Sequence, residues 1–200
     1  MSKTVFPSMF FQVFYVSKEE TRCPLVFDII KIGKKLKEQQ VLGEGTSAVI
    51  SLGYGKRMLI NGFVEDFSNI RREELLEVVD YDPIKRNLLV IGPCEPQPET
   101  SIHWMIHYAR EEVNVVMQIN DENLWGDLKN KIPVVEKGNV IGSIEQVKNV
   151  MKGLRNSKMV GIKNLGVLFV GSNVEEVENL VLETIKKKIK TDEEVKRGLR

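Results

Sequence analysis

The chain has two histidines, His103 and His107, and both stand in step with an acid, Glu99, at four-residue intervals. On a helix that spacing lines a carboxylate and two imidazoles along one face, and these are groups that bind a divalent metal or pass protons. A rise of about 1.5 Å per residue separates Glu99 from His107 by about 12 Å, so the three cannot reach one ion. At most two could, which makes an incomplete metal site. The histidines are therefore expected to be packed, satisfied structural side chains. A lone glutamate at a helix start is ordinarily an exposed or capping carboxylate rather than a general base.

Other reactive types are sparse or poorly spaced. Cys23 and Cys94 lie far apart with no CxxC or metal-ligand spacing, which favours a reduced, cytoplasmic setting over a disulfide framework. The run Lys186-Lys-Lys-Ile-Lys190 and the later Lys196, Arg197 and Arg200 are broken by Asp192, Glu193 and Glu194. Cations there complement a helix C-terminus, and with a formal net charge of +1 no nucleic-acid partner is expected. Trp104, Trp125 and Phe63 could line a pocket, but aromatics scattered near apolar runs are more often core.

The elements that must position these residues follow from periodicity. With 200 residues, 42% apolar and 28% charged, the chain is the size and composition of one ordinary globular domain, and it needs no metal or disulfide to hold a core. Val5 to Val16 is too short to cross a bilayer and lacks a cleavage site after it, so no membrane partner is expected. It reads as a strand with Phe10, Gln12, Phe14 and Val16 on one face and Phe11, Val13 and Tyr15 on the other. Residues 1–20 are accordingly an apolar N-terminal extension to a single domain over 21–200.

Phe27, Ile30 and Leu36 recur at helical spacing, with a stop expected near Gly43 and Gly45. Val49 to Leu52 and Arg57 to Ile60 flank Gly53-Tyr-Gly55 as a hairpin, and Leu88 to Ile91 is a further strand. A helix starts near Glu99, and Val113 to Met117 is an unbroken apolar run expected at the centre of a sheet. Ser143 to Gln146 and Ser172 to Glu175 have capping-box spacing before helical runs, and Met159 to Ile162 and Val167 to Val170 are strands. The implied fold is α/β: a mixed sheet with helices on both faces.

Several of these segments resemble, in order and spacing, the class II aldolase/adducin family typified by fuculose-1-phosphate aldolases and ribulose-5-phosphate epimerases. Pro96-Gln-Pro-Glu99-Thr-Ser-Ile-His103 is similar to the family's P-S-S-E-T-x-x-H, and Val113-Asn-Val-Val-Met-Gln118-Ile-Asn120 falls at its D-V-x-A-V-V-H-T-H. Lys163-Asn-Leu165-Gly-Val167 falls at R-N-H-G-V; Arg57 to Phe63 and Arg72 to Asp80 resemble its L-I-T-P-S-G and P-E-D-L-V-V-V-D segments. The resemblance runs from about residue 25 to 188. It implies α/β/α layers around a largely antiparallel sheet, a homotetramer with clefts between subunits, and a Zn²⁺ on three histidines beside a proton-moving glutamate.

The histidine positions carry Gln118, Asn120 and Leu165 instead. Neutral amides offer weak carbonyl oxygens and leucine offers none, so the family zinc is expected to be lost. The phosphate and substrate turns are also altered: Gly45, Thr46 and Ser47 follow Glu44 where the family has G-N-x-S; Asn61, Gly62 and Phe63 replace T-P-S; Gln97 stands for a serine. Only Glu99 remains at a position the family uses for chemistry. The expectation is a pseudoenzyme without cofactor: a non-catalytic assembly module or binder of a small sugar-like ligand, with Gln118, Asn120 and Leu165 lining the former pocket. The alternative is a metal-independent lyase or epimerase acting on a small sugar or sugar phosphate through Glu99, Gln118 and Asn120.

Overall fold

A computed structural model describes residues 10–43 and 45–185. The start of the apolar N-terminal run, Glu44 and the lysine-rich C-terminal stretch lie outside the described residues.

Alternating and continuous apolar runs give nine strands among the described residues: β1 (Gln12–Ser17), β2 (Ser47–Tyr54), β3 (Arg57–Asn61), β4 (Leu75–Asp82), β5 (Asn87–Ile91), β6 (Val115–Asn120), β7 (Val134–Val135), β8 (Met159–Ile162) and β9 (Gly166–Gly171). They form one sheet in the order β1-β5-β4-β3-β2-β6-β9-β8-β7. The edge pairs β1–β5 and β7–β8 are parallel and every other pair is antiparallel. The helices are α1 (Val26–Glu38), α2 (Thr100–Ala109), α3 (Glu122–Leu128), α4 (Ile144–Gly153) and α5 (174–185).

The two-residue period of β6 shows why its sequence is continuously apolar. Val115, Met117 and Ile119 enter the core beneath α1, α3 and α5, while Val116 enters the opposite core beneath α2 and α4. Each such side chain contributes about 1.5–3 kcal/mol by leaving water, so the buried strand anchors both layers. Gln118 and Asn120 share the α2 side by the same alternation. This is the mixed, largely antiparallel sheet with helices on both faces that the sequence implies.

Particular boundaries differ. α1 ends at Glu38, before the glycines, because Gln40 takes the left-handed conformation (φ 57°). Its N–H donates to the Lys37 carbonyl and that of Val41 to the Leu36 carbonyl, the paired bonds of a Schellman stop made without glycine. At α5 the cap is Asn173, whose Oδ1 accepts from the Glu176 N–H, and it is Glu176 that reaches back to Ser172. Ser143 caps α4 as expected, accepting from the Gln146 N–H at 3.2 Å. β4 escapes periodicity because a bulge between Val78 and Asp80 breaks its alternation. β1 joins the sheet edge, with Phe11 buried and Phe14 and Val16 exposed on the other face.

One buried amide locks the β2–β3 hairpin. Asn61 Oδ1 accepts from the Ile50 N–H at 2.7 Å, and its Nδ2 donates to the Ala48 carbonyl at 3.1 Å and the Gly62 carbonyl at 2.8 Å. Asn61→Ala leaves these backbone groups buried without partners and is expected to cost about 2–3 kcal/mol in urea denaturation, with Asn61→Asp no better. A loss under ~0.5 kcal/mol would show that water replaces the amide.

Candidate functional site

The N-terminus of α2, the end of β6 and the segments after β3 and β7 meet at a small cavity of about 160 Å³. Its wall carries Ser47, Phe63, Gln97, Glu99 and Asn120, closed by apolar side chains that include Phe67 and Ile141. Glu99 is only 4% exposed and makes no capping bond, although it stands at the N-cap of α2. This corrects the expectation of an exposed or capping carboxylate: the preceding Gln97-Pro98 turn is itself buried and directs the side chain inward. Asn120 Nδ2 donates to Glu99 Oε1 at 3.3 Å, and Gln118 Nε2 donates to Asn120 Oδ1 at 2.7 Å. Burial pushes the Glu99 carboxyl above the usual carboxylate range, against the lesser downward pulls of a backbone hydrogen bond, Asn120 and Lys137.

Gln97 does not face a ligand with its donor. Its Nε2 is spent on the Gly62 carbonyl at 2.8 Å, with a weaker approach to the Asn61 carbonyl. The Gly62 N–H goes to the Glu74 carbonyl and the Thr46 N–H to the Gly43 carbonyl. Asn61, Gly62 and Gln118 thus stand behind the cavity wall, and Gly45 sits in a left-handed turn before β2 (φ 75°). Leu165 does not line the cavity, contrary to expectation. It packs against the core beneath α2 and α4, because an isobutyl group next to that core gains more from apolar contact than from a polar wall.

The donor set does not fit a catalytic zinc. Asn120 has its oxygen accepting from Gln118 and its amide donating to Glu99, Leu165 supplies no donor, and of these three only Gln118 keeps a buried, unpaired oxygen, Oε1. Three strong N, S or carboxylate ligands are required, and among the described residues no group of three or more His, Cys, Asp or Glu comes together.

His103 and His107 belong to a different cluster, one turn apart along α2. Ser51 Oγ lies 2.8 Å from His103 Nδ1 and 2.9 Å from His107 Nε2, and His107 Nδ1 lies 3.1 Å from the Val113 carbonyl. A carbonyl only accepts, so His107 carries its proton on Nδ1; Ser51 then donates to His107 Nε2 and receives from His103 Nδ1. This leaves His103 Nε2 buried without a partner among the described residues, so one imidazole is less satisfied than the sequence suggests. Burial, with the neighbouring His107, holds His103 down to about 3; burial, partly opposed by the Val113 carbonyl, holds His107 at about 4. Both are neutral and structural.

Sequence reasoning missed the 136–142 segment. Ile141 closes the cavity and Lys137 supplies the cation felt by Glu99. The available signal is the pair Gly138 and Gly142, both with positive φ. Gly142 lies so close to the Pro98 carbonyl and Ser101 that a Cβ would collide, and Ser101 Oγ donates to its carbonyl at 2.9 Å.

Residues 27–124 match the family model of the Class II Aldolase and Adducin N-terminal domain, just under half of the chain. Among solved structures, the chain is similar to an L-fuculose 1-phosphate aldolase with TM-score 0.68 and 19% identity, over 89% of each chain. The L-fuculose-1-phosphate aldolase of Thermus thermophilus gives TM-score 0.63 and 16% identity over 88% of this chain and 97% of its own. A sugar-phosphate aldolase from Thermotoga maritima gives TM-score 0.60 and 15% identity over 82% and 93%. No curated protein matches the chain in sequence. The fold is that of the class II aldolases.

Proposed function

We propose that this chain is a non-catalytic binding module on a class II aldolase fold, without zinc, whose cavity takes a small uncharged sugar-like ligand. The observation that carries this reading is where the polar side chains spend their bonds. Gln118, Asn120 and Glu99 form a chain of amide donors ending on a buried carboxyl, and Gln97 and Asn61 are committed to backbone carbonyls. Lys137 acts on Glu99 from outside the lining, and among the described residues no cationic side chain lines the cavity itself. A phosphate dianion would enter beside the Glu99 carboxyl without a cation in direct contact, whereas a hydroxyl can both donate to and accept from that carboxyl.

Thermal unfolding with dihydroxyacetone and with dihydroxyacetone phosphate tests the reading. The uncharged triose at 100 times its Kd raises stability by about 2.7 kcal/mol, and the phosphate does not. Tighter binding of the phosphate overturns it.

The apparatus at Glu99 gives a second reading some support: a buried carboxyl of raised proton affinity, held by Asn120, suits a general base. A metal-independent enzyme would exchange the carbon-bound protons of dihydroxyacetone for deuterium in D2O, and Glu99→Gln would abolish that exchange. A non-catalytic module exchanges none above background.

Glu99→Gln also carries a stability signature. The folded-state affinity for the proton is raised, so ionising Glu99 costs stability as pH rises through its folded pKa. The variant is expected to melt higher than the parent at pH 8, with the gap closing in acid. A lower melting temperature at pH 8 would mean that the charged form is held favourably.

Homo-oligomerisation, with a tetramer as the expected state, is part of the same proposal. Phe14 and Val16 remain 49% and 59% exposed on edge strand β1, a sheet face that water disfavours. Light scattering at micromolar concentration should report an oligomer that Phe14→Lys weakens; a monomer refutes it.

A further inference from the structure

A second and larger cavity, about 730 Å³, lies at the opposite end of α2, between that helix, the tip of the β2–β3 hairpin and the β4 bulge. Trp104 and Tyr108 both line it; one helical turn apart, they stand on the same face of α2. Tyr108 is 76% exposed, an aromatic ring left in water at the mouth of a cleft. Asp80 is delivered by the bulge in β4, and Glu111 follows the last turn of α2, so two carboxylates join the aromatic wall.

The charge balance of this cleft is negative. Arg57 also lines it, but Glu77 Oε1 lies 2.7 Å from its guanidinium and neutralises it, which leaves Lys56 as the remaining cation among the described lining residues. The C-terminal carbonyls of α2 add partial negative charge at the same end. His107, at the cleft floor, has both ring nitrogens engaged, by Ser51 and by the Val113 carbonyl, and adds no positive charge. Gly53 allows this packing, since its missing side chain leaves the His107 ring against the β2 backbone.

We propose that this cleft is a second ligand site, which takes an organic ammonium ion with an apolar body: the cation lies over the Trp104 and Tyr108 rings, and Asp80 and Glu111 compensate its charge. Aromatic faces attract cations through the ring quadrupole, most strongly where water is partly excluded. A cleft of this volume lined by aromatic side chains and a few charged groups suits a small molecule, and nothing in the site at Glu99 is needed for it.

Benzyltrimethylammonium, benzyl alcohol and benzoate, titrated into the ¹⁵N-labelled full chain, provide the test. Trp104 and Trp125 give separate indole N–H signals, and Trp125 packs on the other side of the sheet. The cation is expected to shift the Trp104 signal saturably, with benzyl alcohol binding roughly fivefold more weakly and benzoate not at all. Tyr108→Ala should weaken the cation roughly fivefold, and Asp80→Asn/Glu111→Gln roughly tenfold while leaving benzyl alcohol unchanged. Matching melting temperatures confirm that these surface variants are folded. An unmoved Trp104 signal, benzoate bound as well as the cation, or an affinity indifferent to the loss of both carboxylates would each overturn the proposal.

Discussion

Lowering the pH from 7.5 to 5.0 should remove about 4 kcal/mol of folding stability through two side chains. His103 is buried and His107 half-buried, and both are neutral, held at about 3 and about 4 against an ordinary 6.5. A base whose folded pKa is depressed contributes stability in full above its unfolded pKa and loses it as pH falls, because the unfolded chain takes up the proton first. At pH 5.0 each histidine contributes a penalty of about 2 kcal/mol, since about 1.5 units lie between that pH and the unfolded value. Glu99 acts in the opposite direction, its raised affinity favouring the folded state in acid. The carboxylates with lowered values, Asp66, Asp82, Glu112 and Glu176, weaken the fold only at lower pH. Urea denaturation at both pH values checks this. A loss below ~1 kcal/mol would mean that the imidazoles accept protons in place, with Ser51 and water rearranging around them.

The second large effect is a gain of metal binding. Gln118→His/Asn120→His/Leu165→His should bind zinc where the parent does not, and zinc at 1,000 times its Kd should then stabilise the variant by about 4 kcal/mol. The β6 pleat puts positions 118 and 120 on the α2 side together. Leu165 packs on that side too, and the next residue, Gly166, lies so close to Asn120 that a Cβ would strike the Ile119 carbonyl. Without zinc the variant should be less stable than the parent by roughly 1–3 kcal/mol, because a polar ring replaces a packed leucine. Calorimetric titration decides. A folded variant that binds zinc no better than the parent would show that the three positions do not converge.

These placements also show how far the sequence was legible. The strand–helix alternation was readable because burial on two faces forces β6 into a continuous apolar run, and Ser143 marks α4 through a local hydrogen bond. The convergence of Glu99, Gln118 and Asn120 was accessible only through the order of motifs. Its depth was not, since Glu99 lies at a helix start where the same residue type is usually solvated. Lys137 and Ile141 were invisible for a related reason: Ile141 reaches the cavity, and Lys137 comes within electrostatic range of Glu99, on a segment seated by the long-range contact of Gly142 with Pro98 and Ser101. The end of α1 was misplaced because a Schellman stop was built on Gln40, a residue whose type gives no hint of positive φ.

The central claim of the proposed function is that the side chains around Glu99 form a network of amides and hold no metal. The metal content of the chain purified without chelator, together with its melting temperature before and after EDTA, tests this most directly. The account predicts far less than one zinc per chain and a melting temperature that EDTA leaves unchanged. Close to one zinc per chain, removed by EDTA with a fall in melting temperature, would contradict it.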